Sequence, residues 1–450
     1  MYQEAFPLSP RDGLLKAYQH HKLQDLPVPS AIIDVAKVKE NCTAMLNAVK
    51  ELDVSFRAHI KTHKTTEMTK LQVGKDCKDV RLVVSTVIEA EQAVPLLLEY
   101  KQHGAKVNVL YALPLAPSQV SRLAAVGKSL GEGAVSVMID DLEQFKSLKV
   151  FHQQAGFPAW VFLKTDCGYH RAGLNPGSQE MINLVQAASE GEEQGLLRLL
   201  GFYSHNSLSY GGSSPDDAMG MLKVEIDVCL QASKHFKVDR KTPLILSVGA
   251  SPTALSLQNI LPSNPATTSS AKSLKESLEL AKTNLELEIH AGVYPTFDMQ
   301  QVATGSRDLS KDPHDTIAVS ILTEVCSLYP SRTEQPEALI SAGVLALARE
   351  ACKSYPGWGV VTPWNMPKGY SIEPENRIIV NRTSQEHGIL AWEKGGSSKP
   401  KLPLEYGQKV RIWPNHACIT LANFGWYLIV DSTTDTPDTV IDVWVRWRGW

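Results

Sequence analysis

The chain has 450 residues, more than a single hydrophobic core usually supports, so its length predicts two domains. Its composition, 43% hydrophobic and 21% charged, is that of an ordinary globular protein, and the formal charge of −3 gives no reason to expect nucleic acid or an anionic membrane as a partner. No apolar run is long enough for a transmembrane helix.

The start of the chain and its cysteines bear on the compartment. Residues 1–7 lack the basic patch and apolar core of a signal peptide. The seven cysteines are scattered and show no paired spacing, which argues against a disulfide framework and for a reducing environment. We therefore expect a cytoplasmic protein.

Strand-like and helix-like segments alternate after a polar lead-in. The lead-in, 1–28, is expected to pack on the second domain, and 37–52 carry apolar residues at helical spacing. The predicted strands are 54–60, 81–85, 106–111, 135–139, 160–165, 199–204, 243–248 and 286–290. They are continuously apolar rather than alternating, as in a parallel sheet covered on both faces. Residues 29–310 are therefore predicted to form an α/β domain, a (β/α)8 TIM-like barrel. A doubly wound sheet is disfavoured because no Gly-x-Gly-x-x-Gly turn follows the first strand.

The pattern changes towards the end of the chain. Residues 259–284, a Ser/Thr-rich stretch and a charged helix, are interpreted as an insertion or long connection before the last barrel strand. Beyond residue 310, short β-type runs alternate with Pro and Gly. We predict an all-β domain over 311–450.

Polar side chains follow five of the predicted barrel strands, at the ends where barrel enzymes place their active sites. The first group packs two lysines and two histidines into residues 59–64. Burying a lysine without a partner is unfavourable, whereas a lysine held at a strand end suits Schiff-base chemistry. A basic surface loop is the alternative. The other polar segments are 164–174, 203–206, 247–253 and 290–294.

Two of these segments suit a phosphate group. Small residues in 247–253 and 291–293 let backbone N–H groups approach an anion, although such turns more often carry no ligand. Tyr203 and Tyr210 are candidates for contacts with a ring, or else half-buried tyrosines.

The C-terminal domain contains a candidate metal pair. His416 and Cys418 stand two residues apart, so an extended backbone points both side chains to one face. Imidazole and thiolate suit Zn2+, and two protein ligands would leave positions open for water or substrate. Most His-x-Cys pairs are unrelated neighbours, so the pair alone is a weak signal.

Five segments carry a family resemblance: 59–64, 247–253, 288–294, 384–388 and 414–418. In this order they resemble the fold-type III pyridoxal-phosphate (PLP) enzymes, which join an alanine-racemase-like barrel to a β domain. Within that group the chain is most similar to the zinc-dependent eukaryotic D-serine dehydratases, with D-threonine aldolases as close relatives. The resemblance covers nearly the whole chain.

The resemblance implies how PLP is held. Lys61 would form the Schiff base with the cofactor and then act as the base for the substrate's α-proton. Ser251 or Thr253, with the backbone of Gly292 and Val293, would hold the phosphate.

Further residues match positions around the cofactor ring. Tyr203 and Tyr210 match tyrosines of the family, and Arg171 matches an arginine near the ring hydroxyl. His290 stands where alanine racemases place an arginine against the pyridine nitrogen, which leaves the protonation of that nitrogen open.

The resemblance also assigns His416 and Cys418 to zinc. In the aldolases the second ligand tends to be Asp, so Cys418 favours dehydration. The family motif usually has Pro where this chain has Ala58, and the roles of His59 and His63 stay open.

The implied reaction is the elimination of water from D-serine, giving pyruvate and ammonia, with zinc assisting the departure of hydroxide. The alternatives are a D-threonine aldolase, a 3-hydroxyaspartate-type dehydratase, a racemase and a non-catalytic PLP carrier. No C-terminal tyrosine stands out as the second base of a racemase, and a carrier would need no second domain. By resemblance we expect a homodimer that acts on a small D-amino acid, without nucleic-acid or membrane partners.

Overall fold

The computed structural model of the chain describes residues 6–236, 241–263, 266–309, 312–332, 334–396 and 399–450. Within these ranges, eight parallel strands close into a barrel in chain order, as predicted. In this part of the chain the strands are β1 (Ser30–Asp34), β2 (Ser55–His59), β3 (Asp79–Val84), β4 (Lys106–Pro114), β5 (Val135–Ile139), β6 (Ala159–Lys164), β7 (Leu197–Tyr203), β8 (Ile245–Val248) and β9 (Glu286–Ala291). The barrel runs from β2 to β9, and Ala58 pairs with Ala291 where it closes.

Helices connect the strands and cover the barrel. The helices of the described chain are α1 (Arg11–Tyr18), α2 (Val35–Glu51), α3 (Thr66–Val73), α4 (Val87–Gln102), α5 (Val120–Leu130), α6 (Gln144–Ala155), α7 (Gln179–Glu193), α8 (Pro215–Ser233), α9 (Ser251–Leu255), α10 (Ser269–Lys282), α11 (Met299–Ala303), α12 (Val344–Leu347) and α13 (Ala417–Ala422). Among them, none is both long and apolar enough to cross a membrane.

Local sequence explains where these helices begin and what they bury. The side chain of Asp34 accepts the N–H of Ala36 and so caps α2, which buries Val38 and Met45 at helical spacing. Ser214 caps α8 in the same way, ahead of Pro215 at the first helical position. Each such cap typically contributes about 1 kcal/mol.

The interior of the barrel is filled rather than open. Its central layer consists of Val83, Leu110, Met138, Phe162, Tyr203 and Ile245. Below this layer the buried Arg57 and the half-buried Arg81 pair with Glu288, at 2.6 and 2.9 Å. A filled barrel leaves its carboxyl-terminal mouth as the place for chemistry.

A second sheet of nine strands stands beside the barrel in the described structure. Its strands after the barrel are β10 (Val319–Tyr329), β11 (Glu337–Ile340), β12 (Gly359–Val361), β13 (Ile378–Thr383), β14 (Gly388–Trp392), β15 (Lys409–Pro414), β16 (Trp426–Val430) and β17 (Asp442–Val445). The strand order is β11-β14-β13-β12-β15-β10-β1-β16-β17, so β1 lies in this sheet although it precedes the barrel.

β1 therefore ties the start of the chain to its end. It pairs antiparallel with β10 and parallel with β16. The predicted division assigned residues 30–34 to the barrel domain, whereas the structure places this strand in the other sheet. The predicted boundary at 310/311 lies outside the described residues.

Two other predicted segments have clear positions. In the described part of the lead-in, Arg11 of α1 pairs with Asp442 at 2.6 Å, and the N–H of His20 binds the carbonyl of Val440, so this segment lies on the β sheet. The predicted long connection contains α10, which buries Leu274 and Leu278 between β8 and β9. It is thus the regular crossover helix of that barrel unit.

Candidate active site

Lys61 lies in the turn that follows β2, at the carboxyl-terminal mouth of the barrel. The N–H of Ile60 binds the carbonyl of Val83, the N–H of Lys64 closes the turn on the carbonyl of Ile60, and Thr65 caps α3. Lys61 itself faces a cavity of about 360 Å³ between the barrel and the β sheet. Its other lining residues include Tyr169, Arg171, His205, Tyr210, Glu350 and His416.

A larger cavity, of about 620 Å³, opens at the opposite end of the barrel. Its wall contains ions that already pair with one another, such as Arg81 and Glu286 at 2.5 Å. It lies at the amino-terminal ends of the strands, where barrel residues serve stability rather than catalysis. The smaller cavity is therefore the candidate site.

The two lysines of the opening turn have different surroundings. Lys64 is buried and forms an ion pair with Glu89 at 2.9 Å. His63 is also buried, with Nε2 2.8 Å from the amide oxygen of Gln72, and burial lowers its pKa to about 4. Lys64 and His63 thus fix the turn, and Lys61 is left to the cavity.

Three further histidines belong to this mouth. His59 Nε2 lies 3.0 Å from Ser85 Oγ, and His205 donates from Nδ1 to the carbonyl of Gly249 at 2.7 Å. His290 stacks on Tyr203, with 4.2 Å between the ring centres. Burial first, and then nearby positive charge, holds the pKa of all three imidazoles well below the usual range. All three are therefore neutral at pH 7.

His290 has one engaged and one open nitrogen. Its Nδ1 lies 3.2 Å from Ser247 Oγ, which also lies 2.6 Å from the carboxylate of Glu288. Its Nε2 is buried and has no hydrogen-bond partner among the described residues. A buried ring nitrogen without a partner is uncommon and is a place where a ligand atom can bind.

Small residues and one serine form a cradle of backbone N–H groups. Ser251 Oγ accepts the N–H groups of Gly292 and Val293, at 3.3 and 3.0 Å. Gly249 has a φ of +140°, and a β-carbon there would lie 2.3 Å from the carbonyl oxygen of His290, so only glycine fits. Thr253 is turned away: its Oγ1 accepts the N–H of Ala250 at 2.8 Å. Of the two predicted phosphate residues, only Ser251 contacts the cradle.

The predicted tyrosines and arginine belong to the same end of the barrel. Tyr203 is buried at the end of β7 and Tyr210 is half-buried in the loop after it, and burial raises the pKa of both phenols above the usual range. Arg171 is exposed on the cavity wall, with its guanidinium 5.9 Å from the ring of Tyr169. Arg171, Tyr210 and Lys61 thus line one cavity, whereas Tyr203 is stacked on His290.

His416 and Cys418 lie beside Lys61 of the same chain. Cys418 lies at the start of α13, and its Sγ is 3.1 Å from Oγ1 of Thr62, the residue after Lys61. Against the effect of burial, the hydrogen bond and charge of Cys418 raise the pKa of His416 to about 9, while His416 lowers the pKa of Cys418. In the part of the chain that the structure describes, no group of three or more His, Cys, Asp or Glu side chains could hold a metal ion. The candidate metal site is a pair.

The chain is similar to known proteins along nearly its whole length. The alanine racemase N-terminal domain family matches residues 33–264, and a putative serine dehydratase domain matches 318–430. D-serine dehydratase of Schizosaccharomyces pombe is 37% identical over 98% of this chain and 96% of its own length. The Saccharomyces cerevisiae D-serine dehydratase is 34% identical over 97% and 99%. This chain belongs to the D-serine dehydratase family.

Solved structures agree with the fold. D-threo-3-hydroxyaspartate dehydratase from Delftia sp. HT23 matches with a TM-score of 0.74 and 24% identity, over 95% of this chain and all of that one. A cysteine-to-alanine variant of a D-threo-3-hydroxyaspartate dehydratase is known in a metal-free form. The predicted alanine-racemase-like fold, the resemblance to the D-serine dehydratases and the expectation of a lyase are confirmed.

In this dehydratase-family chain, one recognised motif turns out to be structural. Residues 384–388 form the turn between β13 and β14, and the carbonyl of Ser384 accepts the N–H of Val344 at the start of α12. The carbonyl of Leu347, in α12, accepts the hydroxyl of Thr420 in α13. The motif therefore supports the helix that carries Cys418.

Two buried carboxyl groups near the site, those of Asp298 and Glu225, were not predicted from the sequence. Asp298 accepts the N–H of Ala417 and so begins α13. Glu225 of α8 is buried next to the loops of the mouth. A signal for Glu225 was present, because Leu222 and Cys229 place it on the buried face of an amphipathic helix.

Proposed function

We propose that this chain dehydrates D-serine to pyruvate and ammonia, using PLP and zinc. The observation that carries the proposal is that one cavity is lined by both Lys61 and His416. Cys418 Sγ lies 3.1 Å from Oγ1 of Thr62, the residue after Lys61. One small substrate in that cavity can meet an amine at its α-carbon and a metal-binding pair at its β-hydroxyl.

The residues of the mouth fit PLP. Lys61 provides the amine that holds it, and Ser251 with the N–H groups of Gly292 and Val293 provides the phosphate cradle. The open Nε2 of His290 suits the pyridine nitrogen. These features support PLP because each would otherwise be an unexplained departure from a filled barrel end.

Two further side chains are assigned to the rim of the cofactor. We assign Arg171 to the ring hydroxyl and Tyr210 to the phosphate side, where it also hydrogen bonds Ser251. PLP, when bound, supplies a conjugated ring that takes up the electrons left at the α-carbon.

The protein's own contribution begins with a proton. Once the amine of the substrate has displaced Lys61, Lys61 Nζ can accept the proton from the α-carbon of the substrate. Around the same mouth His59, His205 and His290 are held neutral by burial and nearby positive charge, so they add no further positive charge there.

The pair His416 and Cys418 fits zinc by donor chemistry. A thiolate and an imidazole are ligands that zinc prefers, and a site with two protein ligands keeps positions open. Zinc, when bound, supplies Lewis-acid assistance to the leaving hydroxide.

The test is an assay of products from a panel of D- and L-β-hydroxy amino acids, with and without added zinc. We expect pyruvate from D-serine, dependent on zinc, and no product from L-serine. Lys61→Ala serves as the inactive control and Lys70→Ala, at an exposed lysine, as the active one. Glycine and acetaldehyde from D-threonine as the main products would instead indicate an aldolase.

A D-threo-3-hydroxyaspartate dehydratase is the second candidate. It is favoured by two cations on the cavity wall, Arg171 and Lys353, either of which could meet a second carboxylate. In the same panel it would release oxaloacetate from D-threo-3-hydroxyaspartate faster than pyruvate from D-serine.

We also infer a cytoplasmic homodimer. The seven cysteines, all within the described residues, are free thiols. Leu113 near the end of β4, and Leu142 and Leu208 in the segments after β5 and β7, are exposed, which favours a second copy as their cover. Light scattering on the purified protein measures the mass: a monomer would contradict the inference.

A further inference from the structure

Glu225 is a buried carboxyl that the reaction above does not use. It lies on α8 with no exposed surface. One oxygen, Oε1, accepts the backbone N–H of Asn206, and the other, Oε2, lies 3.1 Å from Thr253 Oγ1. Asn206 follows β7 and Thr253 follows β8, so a single side chain connects two neighbouring loops of the barrel mouth.

Each of these contacts continues to the cradle or to the cavity. Thr253 Oγ1 accepts the N–H of Ala250, the residue before Ser251, whose hydroxyl contacts the N–H groups of the cradle. On the other side, the side chain of Asn206 accepts the N–H of Leu208 and so shapes the turn that carries Tyr210. Movement of Glu225 would be passed to both.

The charge around Glu225 is unbalanced. Burial raises the pKa of Glu225 to about 8, against the hydrogen bonds from Asn206 and Thr253 and the positive charge of Lys164. The other titratable groups that interact with this cluster are Cys167, Cys229 and Tyr203. Lys164 donates to the carbonyl of Thr165 at 2.9 Å, and within the described residues no salt bridge to Glu225 is found.

A neutral carboxyl fits the hydrogen-bond pattern completely. The hydroxyl of Thr253 lies 3.1 Å from Glu225 Oε2 and 3.2 Å from the carbonyl of Ala250. When the neutral carboxyl donates its O–H to Thr253 Oγ1, the hydroxyl of Thr253 is free to donate to Ala250; an ionised carboxylate instead accepts that hydroxyl. Glutamine could make the same contacts, because its oxygen accepts and its nitrogen donates.

We propose that Glu225 is a positioning residue for the anion cradle, holding the loops after β7 and β8 in the arrangement that takes the phosphate of PLP. The inference rests on the proposed use of PLP. It adds that ionisation of Glu225 opposes phosphate binding, since it introduces a negative charge behind the cradle and draws the hydroxyl of Thr253 from the carbonyl of Ala250 to the carboxylate.

The experiment measures the PLP dissociation constant of the apoprotein at pH 7 and pH 9, for the wild type, Glu225→Gln, Glu225→Ala and Leu222→Ala. Leu222 is buried one turn earlier on α8, so its variant reports a loss of packing alone. At pH 7 we expect Glu225→Ala to bind PLP about tenfold more weakly, because the variant loses a hydrogen bond that holds the loops in the arrangement that binds PLP. Glu225→Gln should match the wild type.

At pH 9 the wild type should lose affinity relative to pH 7 by a larger factor than Glu225→Gln. A purely structural role would leave the two pH profiles parallel, and parallel profiles overturn the proposal. So does a Glu225→Ala variant that binds PLP as tightly as the wild type, or a Glu225→Gln variant as weak as the alanine variant. If Glu225→Ala does not fold, the comparison of the wild type with Glu225→Gln still decides.

Failure of the proposed function has a different signature. A wild-type protein that binds no PLP at either pH overturns both proposals. A wild type that binds PLP and forms pyruvate, with Glu225 variants that behave like it, overturns only the role of Glu225.

Discussion

Lys61 and Lys64 lie three residues apart, yet Lys64 is held in a buried ion pair and Lys61 faces a cavity. Lys64 is held by Glu89, a fully buried carboxylate, at 2.9 Å. Breaking such a pair leaves an uncompensated buried charge, which is strongly destabilising. Lys61 has space in front of it and neutral imidazoles around it. The two lysines therefore differ in their neighbours, an ion-pair partner for Lys64 and an open cavity for Lys61.

His416 and Cys418 lead to a prediction at the same scale. Cys418→Ser or His416→Ala should lower the zinc content from one ion to less than half an ion per chain, because one remaining strong protein ligand is too few to retain the metal. PLP content should stay near that of the wild type, since the cradle residues lie on the barrel. Metal analysis and absorbance measure the two contents.

The matched control for this prediction is Cys326→Ser, at an exposed cysteine outside the cavity. It should keep both zinc and PLP. Full zinc content in Cys418→Ser would contradict the assignment of the metal pair.

At the scale of elements, one carboxylate begins two helices from different parts of the chain. Asp298 Oδ1 accepts the N–H of Gln301 in α11, and Oδ2 accepts the N–H of Ala417 in α13, both at 2.8 Å. The N–H of Gln300 also binds the carbonyl of Asn415. Asp298 thus sets where the metal pair lies relative to the barrel.

We therefore predict that Asp298→Ala weakens zinc binding without removing either ligand. Loss of two caps at about 1 kcal/mol each should also lower the free energy of unfolding by about 2 kcal/mol. Zinc titration and urea denaturation measure the two effects. Asp312→Ala, which removes the cap of a short turn outside the cavity, is the control. Unchanged zinc affinity in Asp298→Ala would contradict this account of α13.

The elements also show how far the sequence could be interpreted. The barrel strands were predictable because strands buried on both faces are continuously apolar. Ser30–Asp34 has the same local character, but its partners β10 and β16 lie almost 300 and 400 residues further on. No local pattern encodes that pairing.

The site could be predicted only in part for a similar reason. Parallel strands end on one side of the barrel, so the polar segments after them had to converge. That Ser251 rather than Thr253 contacts the cradle depends on Glu225, a residue of another element. The ion pair of Lys64 with Glu89 and the contact of Cys418 with Thr62 likewise join distant segments.

At the scale of the whole molecule, the β sheet holds the turn that carries Lys61. The hydroxyl of Tyr427 donates to the carbonyl of His63 at 3.0 Å, and the N–H of Trp447 donates to the carbonyl of Lys64 at 2.8 Å. The hydroxyl of Tyr427 also lies 3.4 Å from the carbonyl of Leu421 in α13, so one residue of this sheet contacts both the lysine turn and the helix that carries Cys418. Loosening that sheet should affect the two halves of the site together.

His63, beneath this contact, makes stability depend on pH. Burial lowers its pKa from 6.5 to about 4, so the unfolded chain takes up a proton first as the pH falls. Its contribution is complete above pH 6.5 and is lost down to about pH 4, which amounts to about 3 kcal/mol. In His63→Gln, the unfolding free energy of the apoprotein should therefore fall less steeply between pH 6.5 and 4 than in the wild type.

Urea denaturation across this pH range measures how steeply the unfolding free energy falls. His103→Gln, at an exposed histidine, is the control. Equal slopes in the wild type and His63→Gln would mean that His63 is not the group that links the Lys61 turn to acid stability.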